Sequence, residues 1–255
     1  MAGIRSGDNQ PTPDAAENAA TWLDLYDYRL RMANLYAGRA RRLVAGADER
    51  ETLERFRAAK DALFASHPQS PLDPAARTGF TGLRYFPYDP ALRIIAEMTP
   101  DTSDTDETLP SSGAHSMRFR RAARVSFALA GVAISLPVYW IDVYGGGLFL
   151  PFRDATCPTE SYGAGRYLFD TVKGSDFLLA DETGRLVALD KHDGDKEPMS
   201  VGAMGFSGGR IILDFNYAYN PSCAYDPRWA CPLAPRENIL SMPIRAGERK
   251  YHDDE

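Results

Sequence analysis

Hydrophobic positions recur first at helical and then at strand spacing along this chain. From Ala15 to Gly46, Trp22, Leu25, Tyr26, Leu30, Ala33 and Tyr36 return every three or four residues. Arg29, Arg31, Arg39, Arg41 and Arg42 fall largely off that stripe, which predicts an amphipathic helix. Leu53, Phe56, Leu63 and Phe64 predict a second helix over 48–66, stopped by Pro68. The longest apolar run, Val125 to Ile141, follows Arg118, Arg120, Arg121 and Arg124 and superficially resembles a membrane span. Its parity says otherwise. Val125, Phe127 and Leu129 alternate with small residues, and after Ala130-Gly131 the alternation resumes in the opposite parity at Val132, Ile134, Leu136, Val138 and Trp140. A parity switch across a glycine turn predicts a β-hairpin, and Pro137 and two serines argue against a membrane helix.

Further strands are expected over 92–98 and 148–152, in a hairpin over 177–190 that turns at 182–184, and over 211–217. In the last of these, alternation places Ile212, Asp214 and Asn216 on one face. The stretch from Pro100 to Ser116, rich in Asp, Thr and Ser, reads as a surface loop, as does the charged segment 191–198. The expected fold is α+β: two N-terminal helices, then a mainly antiparallel sheet curled into a β-barrel or sandwich. The expected division is a disordered tail over 1–14, a helical pair over 15–66 and a β-rich domain over 67–250.

At 255 residues and 44% hydrophobic content the chain can bury a large core. A net charge of −6 without a long basic tract argues against a nucleic-acid partner. The helix arginines are interleaved with Asp24, Asp27, Asp48, Glu49, Glu51 and Glu54, and read as solvated faces. No apolar leader opens the sequence, so a cytoplasmic, reducing location and no membrane partner are expected.

Two stretches carry chemistry. In the first, Asp154, Thr156, Tyr162 and Arg166 surround a turn containing Gly163 and Gly165; in the second, Asp214, Asn216, Asn220, Glu237 and Asn238 punctuate a loop turned by Asn220-Pro221, Asp226-Pro227 and Cys231-Pro232. No P-loop lysine and no dinucleotide fingerprint accompanies the glycines, so no particular cofactor is implied.

Three readings stand side by side. In the preferred one these nine residues bind a small, anionic molecule at one end of the barrel, with Arg166 as its bidentate grip and Asp154 or Asp214 as acid or base. Its structural counterpart is a buried ion-pair network in an interaction or structural protein. The second is a metal or redox site at Cys223 and Cys231, although zinc ligands are usually closer in sequence and His67, His115, His192 and His252 show no accompanying pattern. The third is a hard-cation site of Asp154, Asp214, Asn216, Asn220 and Glu237, which Arg166 opposes. No Ser-His or Cys-His pair can be placed, and a homodimer through the N-terminal helices is a further expectation.

The blocks SHPQSPL, GLRYFPYDP, LFLPFRDAT, YGAGRYL, LDFNYAYNPSCAYDPRWACPLAPRENIL and IRAGE, in order between about Phe56 and Glu248, resemble the uncharacterised family called domain of unknown function 1684. The resemblance implies no established activity, substrate or cofactor. Cys157 departs from the family pattern, as do the helix before the family region and the extra residues between Leu168 and Gly209.

Overall fold

The structure, a computed structural model, describes residues 13–103, 105–113, 116–181, 183–187 and 209–252, with backbone alone for 13–20. Most of the expected tail, the loop 191–198 and the histidines His115 and His192 lie outside these residues. Helix α1 (Pro13–Val44) ends at a turn where Gly46 takes φ 81°, and α2 (Glu49–Ser66) begins where the Asp48 carboxylate accepts from Glu51 N at 2.8 Å. A short α3 (Pro74–Thr78), not expected from periodicity, is opened by Asp73 and Pro74.

The strands are β1 (Arg93–Pro100), β2 (Asp106–Leu109), β3 (Met117–Leu129), β4 (Val132–Ile141), β5 (Leu148–Phe152), β6 (Arg166–Asp170), β7 (Leu178–Ala180), β8 (Leu186–Val187) and β9 (Gly209–Asp214). They form one antiparallel sheet in the order β6-β5-β4-β3-β1-β9-β7-β8, with β2 added to β3. The sheet curls into a half-barrel. Its β6 edge reaches the segment beyond β9, where Tyr167 and Tyr219 exchange backbone hydrogen bonds of 2.9 and 3.0 Å. The β3–β4 hairpin turns at Ala130 (φ 50°) and Gly131 (φ 79°), the two positive φ values that suit the sheet's twist.

Three expectations are corrected. The surface loop 100–116 contains β2, because Leu109 is buried against Phe119 and Tyr139 and Glu107 pairs with Arg121. Strand β9 stops at Asp214, whose carboxylate caps a 3-10 turn over Phe215–Tyr217 by accepting from Asn216 N at 3.1 Å. And Arg39 is not solvated: its guanidinium lies 4.5 Å from the Tyr217 ring and donates to Asp176 O at 2.7 Å.

Val125, Val138, Leu150, Phe152, Ile211 and Phe215 fill the concave side of the sheet. The helices cover part of the other side. Phe56 meets Tyr36 and Tyr217 edge-on at 4.9 and 5.0 Å, and Leu43 packs on Leu178 and Ile212. Strand β9 is thus buried on both faces, which is why its apolar residues run without alternation. Trp22, Leu23, Tyr26 and Leu30 of α1 remain exposed. Among the described residues, no helix is long and apolar enough to cross a membrane.

Candidate functional site

The two chemistry-bearing stretches meet where β5 and β6 face the loop after β9. Arg153 N donates to Asn238 O at 2.9 Å and Leu240 N to Arg153 O at 2.8 Å. At this junction the side chains sort into separate clusters rather than one ring.

The first cluster is a sealed network. Asp154 Oδ2 accepts from Thr156 Oγ1 at 2.8 Å and from Ile244 N at 2.6 Å, while Asp154 Oδ1 accepts from Arg166 Nη2 at 3.1 Å. Nη2 of Arg166 also donates to Ile244 O at 2.8 Å, and Nη1 to Ala246 O and Glu248 O at 2.5 and 3.1 Å. Both side chains are fully buried. Burial depresses the Arg166 pKa, and the Asp154 charge offsets only part of that loss. With its terminal nitrogens engaged by one carboxylate and three carbonyls, Arg166 faces protein on every side described, not an open pocket. The Gly165 amide donates to Tyr162 O at 3.0 Å.

The second cluster lies under α2. Lys60 Nζ sits 2.5 Å from Glu248 Oε1, and Glu248 Oε2 accepts from Asn220 N at 2.8 Å and Tyr225 Oη at 2.5 Å. Asn220 Nδ2 continues to Arg249 O at 2.8 Å. Glu248 and Lys60 were missed in the sequence, though Lys60 interrupts the apolar stripe formed by Phe56 and Phe64 and is a legible anomaly there.

Asp214 and Asn216 form a third cluster. Asn216 Nδ2 bridges Asp214 Oδ1 at 3.0 Å and Asp89 O at 2.9 Å, and Arg93 Nε stands 3.9 Å from Asp214. Burial raises the Asp214 pKa against the opposing pull of Arg39, Asn216 and Arg93. Asn238, fully buried, donates to Pro137 O and Pro151 O at 3.0 and 2.8 Å. Glu237 is at the surface, 2.5 Å from Arg121 and 3.7 Å from Arg124. The expected convergence of Asp154 and Asp214 on one pocket is therefore absent from the contacts of the described residues. Nor do the described residues contain a cluster of three or more His, Cys, Asp or Glu side chains able to hold a metal.

Of the nine, Asp214 borders a recess of about 10 Å³ beside Arg39 and Asp176, and Tyr162 opens on a larger cavity. Ser112, Tyr162, Cys223, Tyr225, Asp226, Trp229 and His252 line it, with a volume of about 260 Å³. Its walls are held from behind: Tyr225 by Glu248, and Trp229 by Nε1 donating to Pro71 O at 3.1 Å. On its rim the Tyr162 hydroxyl is 3.6 Å from Cys223 Sγ, and Cys223 N donates to Cys231 Sγ at 3.3 Å. Cys223 is brought down to about 6 by its hydrogen bond with the Cys231 thiol, against the effect of burial, with the Ser112 and Tyr162 hydroxyls helping; Cys231 is pushed up by the same bond and by burial. The two thiols titrate as a coupled pair.

Fold and site together define a curled antiparallel half-barrel closed at one corner by ordered loops and backed by two helices. The chain belongs to the family described as Protein of unknown function (DUF1684), which it matches over residues 78–249. The SHPQSPL block lies before that match. A solution NMR structure of an uncharacterized protein of Haloarcula marismortui is 31% identical, covering 78% of this chain and 92% of that one, with a TM-score of 0.49. No curated protein matches.

Proposed function

We propose that the protein binds a small molecule in the cavity bounded by Tyr162, Cys223, Tyr225, Trp229 and His252. The observation that carries this reading is the cavity itself: about 260 Å³ of space with aromatic walls, at the corner where the two chemistry-bearing stretches meet. Preformed, largely aromatic recesses with a few polar groups are where small ligands bind. Asp154, Thr156, Arg166 and Asn220 support the site from behind by fixing its loops. An uncharged or aromatic ligand suits the cavity better than the anion expected of Arg166, because that guanidinium is engaged elsewhere and Arg228 pairs with Asp226 at 3.1 Å. A melting-temperature screen of small molecules tests the reading. Ligands that stabilise the wild type should lose roughly thirtyfold in affinity in Trp229→Ala, the effect of about 2 kcal/mol from one aromatic anchor; equal stabilisation of both proteins would overturn it.

A second reading, self-association through α1, is favoured by the exposed Trp22, Leu23, Tyr26 and Leu30. Light scattering of the wild type and of Trp22→Ser/Tyr26→Ser tests it: a wild-type dimer that becomes a monomer in the variant supports it, and identical masses exclude it.

A further inference from the structure

We infer that Cys223 and Cys231 form a dithiol that exchanges with the disulfide of a small thiol compound, with Cys223 as the attacking sulfur and Cys231 as the resolving one. The inference rests on the proposed cavity as the entry point and deepens it by naming the substrate class.

The placement of the two thiols is asymmetric. Cys223 is partly exposed on the cavity wall, whereas Cys231 is buried directly behind it. The contact from Cys223 N to Cys231 Sγ at 3.3 Å holds the second sulfur beside the first residue's backbone. Three features keep it there: the 3-10 turn over Ser222–Ala224, the prolines Pro221, Pro227 and Pro232, and the bond from Cys231 N to Ser112 Oγ at 2.9 Å. The Tyr162 hydroxyl, 3.6 Å from the Cys223 sulfur, supplies a polar neighbour for a thiolate there. The depressed titration of Cys223 accords with this geometry. Cys157 is a different case. It contacts Ser161 and Asp154 in the sealed network and does not line the cavity.

An accessible thiolate with a second thiol in reach is the arrangement that thiol–disulfide exchange requires. The Cys223 thiolate attacks one sulfur of R–S–S–R; the S–S bond breaks and R–S⁻ leaves, taking the proton that Cys223 gave up. Cys231 then loses its proton and attacks the Cys223 sulfur of the mixed disulfide, and the second R–S⁻ leaves with that proton. Two protein thiols are oxidised to one Cys223–Cys231 disulfide, and R–S–S–R is reduced to two R–SH. A cavity of about 260 Å³ is several times the roughly 30 Å³ that a water occupies in the liquid, enough to seat one arm of such a molecule against Trp229.

The test treats the reduced full chain with oxidised glutathione at neutral pH, blocks residual thiols by alkylation and reads intact and peptide masses. The wild type is expected to lose two hydrogens, retain no glutathione and show Cys223 and Cys231 protected together. Cys231→Ser should retain one glutathione, on Cys223. Cys223→Ser should react at least tenfold more slowly than wild type. If Cys223 and Cys231 of the wild type both stay alkylable, or the adduct forms on Cys157 instead, the inference is wrong; this wild-type arm needs no variant to fold. Absence of exchange alongside Trp229-dependent ligand stabilisation removes the dithiol but keeps the cavity, whereas exchange that proceeds equally in Trp229→Ala counts against the cavity as entry point.

Discussion

Arg166 and Asp154 lie 3.1 Å apart with no exposed surface on either side chain, and the same guanidinium holds the carbonyls of Ile244, Ala246 and Glu248. The pair joins the 153–166 loop to the C-terminal segment that frames the cavity. Replacing Arg166 by Met leaves the buried Asp154 carboxylate without its counter-charge and removes the guanidinium from three carbonyls, and is expected to cost about 3–5 kcal/mol. Urea denaturation measures it; a loss below about 1 kcal/mol would mean that the network does not hold these loops.

Lys60 and Glu248 make the corresponding tie between α2 and the C-terminal segment, across 188 positions of sequence. Lys60→Met should destabilise by a similar amount, about 3–5 kcal/mol, because Glu248 stays buried as an uncompensated charge. Tyr225→Phe removes only one of the two donors to Glu248 Oε2 and should cost about 1–2 kcal/mol. A double-mutant cycle on Lys60 and Tyr225 should be non-additive, since both act on one carboxylate.

Asp214 gives a pH signature. Its folded pKa is raised above 3.8 chiefly by burial, so as pH climbs from the unfolded value through the folded one the native state holds the proton longer than the unfolded chain, and stability contributed by this group falls. Asp214→Asn lacks that loss while keeping an oxygen to cap the Asn216 amide. Relative to the variant, the wild type should therefore weaken as pH rises above about 4; a stability difference that is flat across this window, or that runs the other way, contradicts the assignment.

Gly247 occupies φ 76°, and a methyl group there would press on the Ala218 carbonyl. The backbone term alone is about 1–3 kcal/mol for a side chain forced into that region. Gly247→Ala should lower the melting temperature and loosen the adjoining Glu248 contacts, read as faster amide exchange at Asn220; unchanged exchange would separate this turn from the network.

Much of the architecture was legible because periodicity reports burial. The opposite parities of Val125–Leu129 and Val132–Trp140 specify the β3–β4 hairpin, and the stripe of α2 specifies its buried face; in α1 the spacing marks a helix but not its buried face, since Trp22, Tyr26 and Leu30 are exposed and Arg39 is buried. Strand β2 was not legible, since four residues with a single buried apolar side chain, Leu109, carry too little pattern. The site was harder for a different reason. Arg166 among glycines reads as a ligand grip, but most of its acceptors are main-chain carbonyls, which leave no trace in residue type. Asp214 and Asn216 are neighbours, as their two-residue spacing implies, but a 3-10 turn joins them rather than the alternation of a strand. The cavity draws Ser112, Tyr162, Cys223, Trp229 and His252 from segments far apart in sequence, and no spacing rule brings them together.

The central claim is that the Tyr162–Cys223–Trp229 cavity holds a small molecule. Native mass spectrometry of the chain equilibrated with a small-molecule extract of its own host tests this most directly, with Trp229→Ala as the matched control. The account predicts an excess mass on the wild type that dissociates on denaturation and is absent from the variant. A bare mass for both proteins, or the same adduct on both, would contradict it.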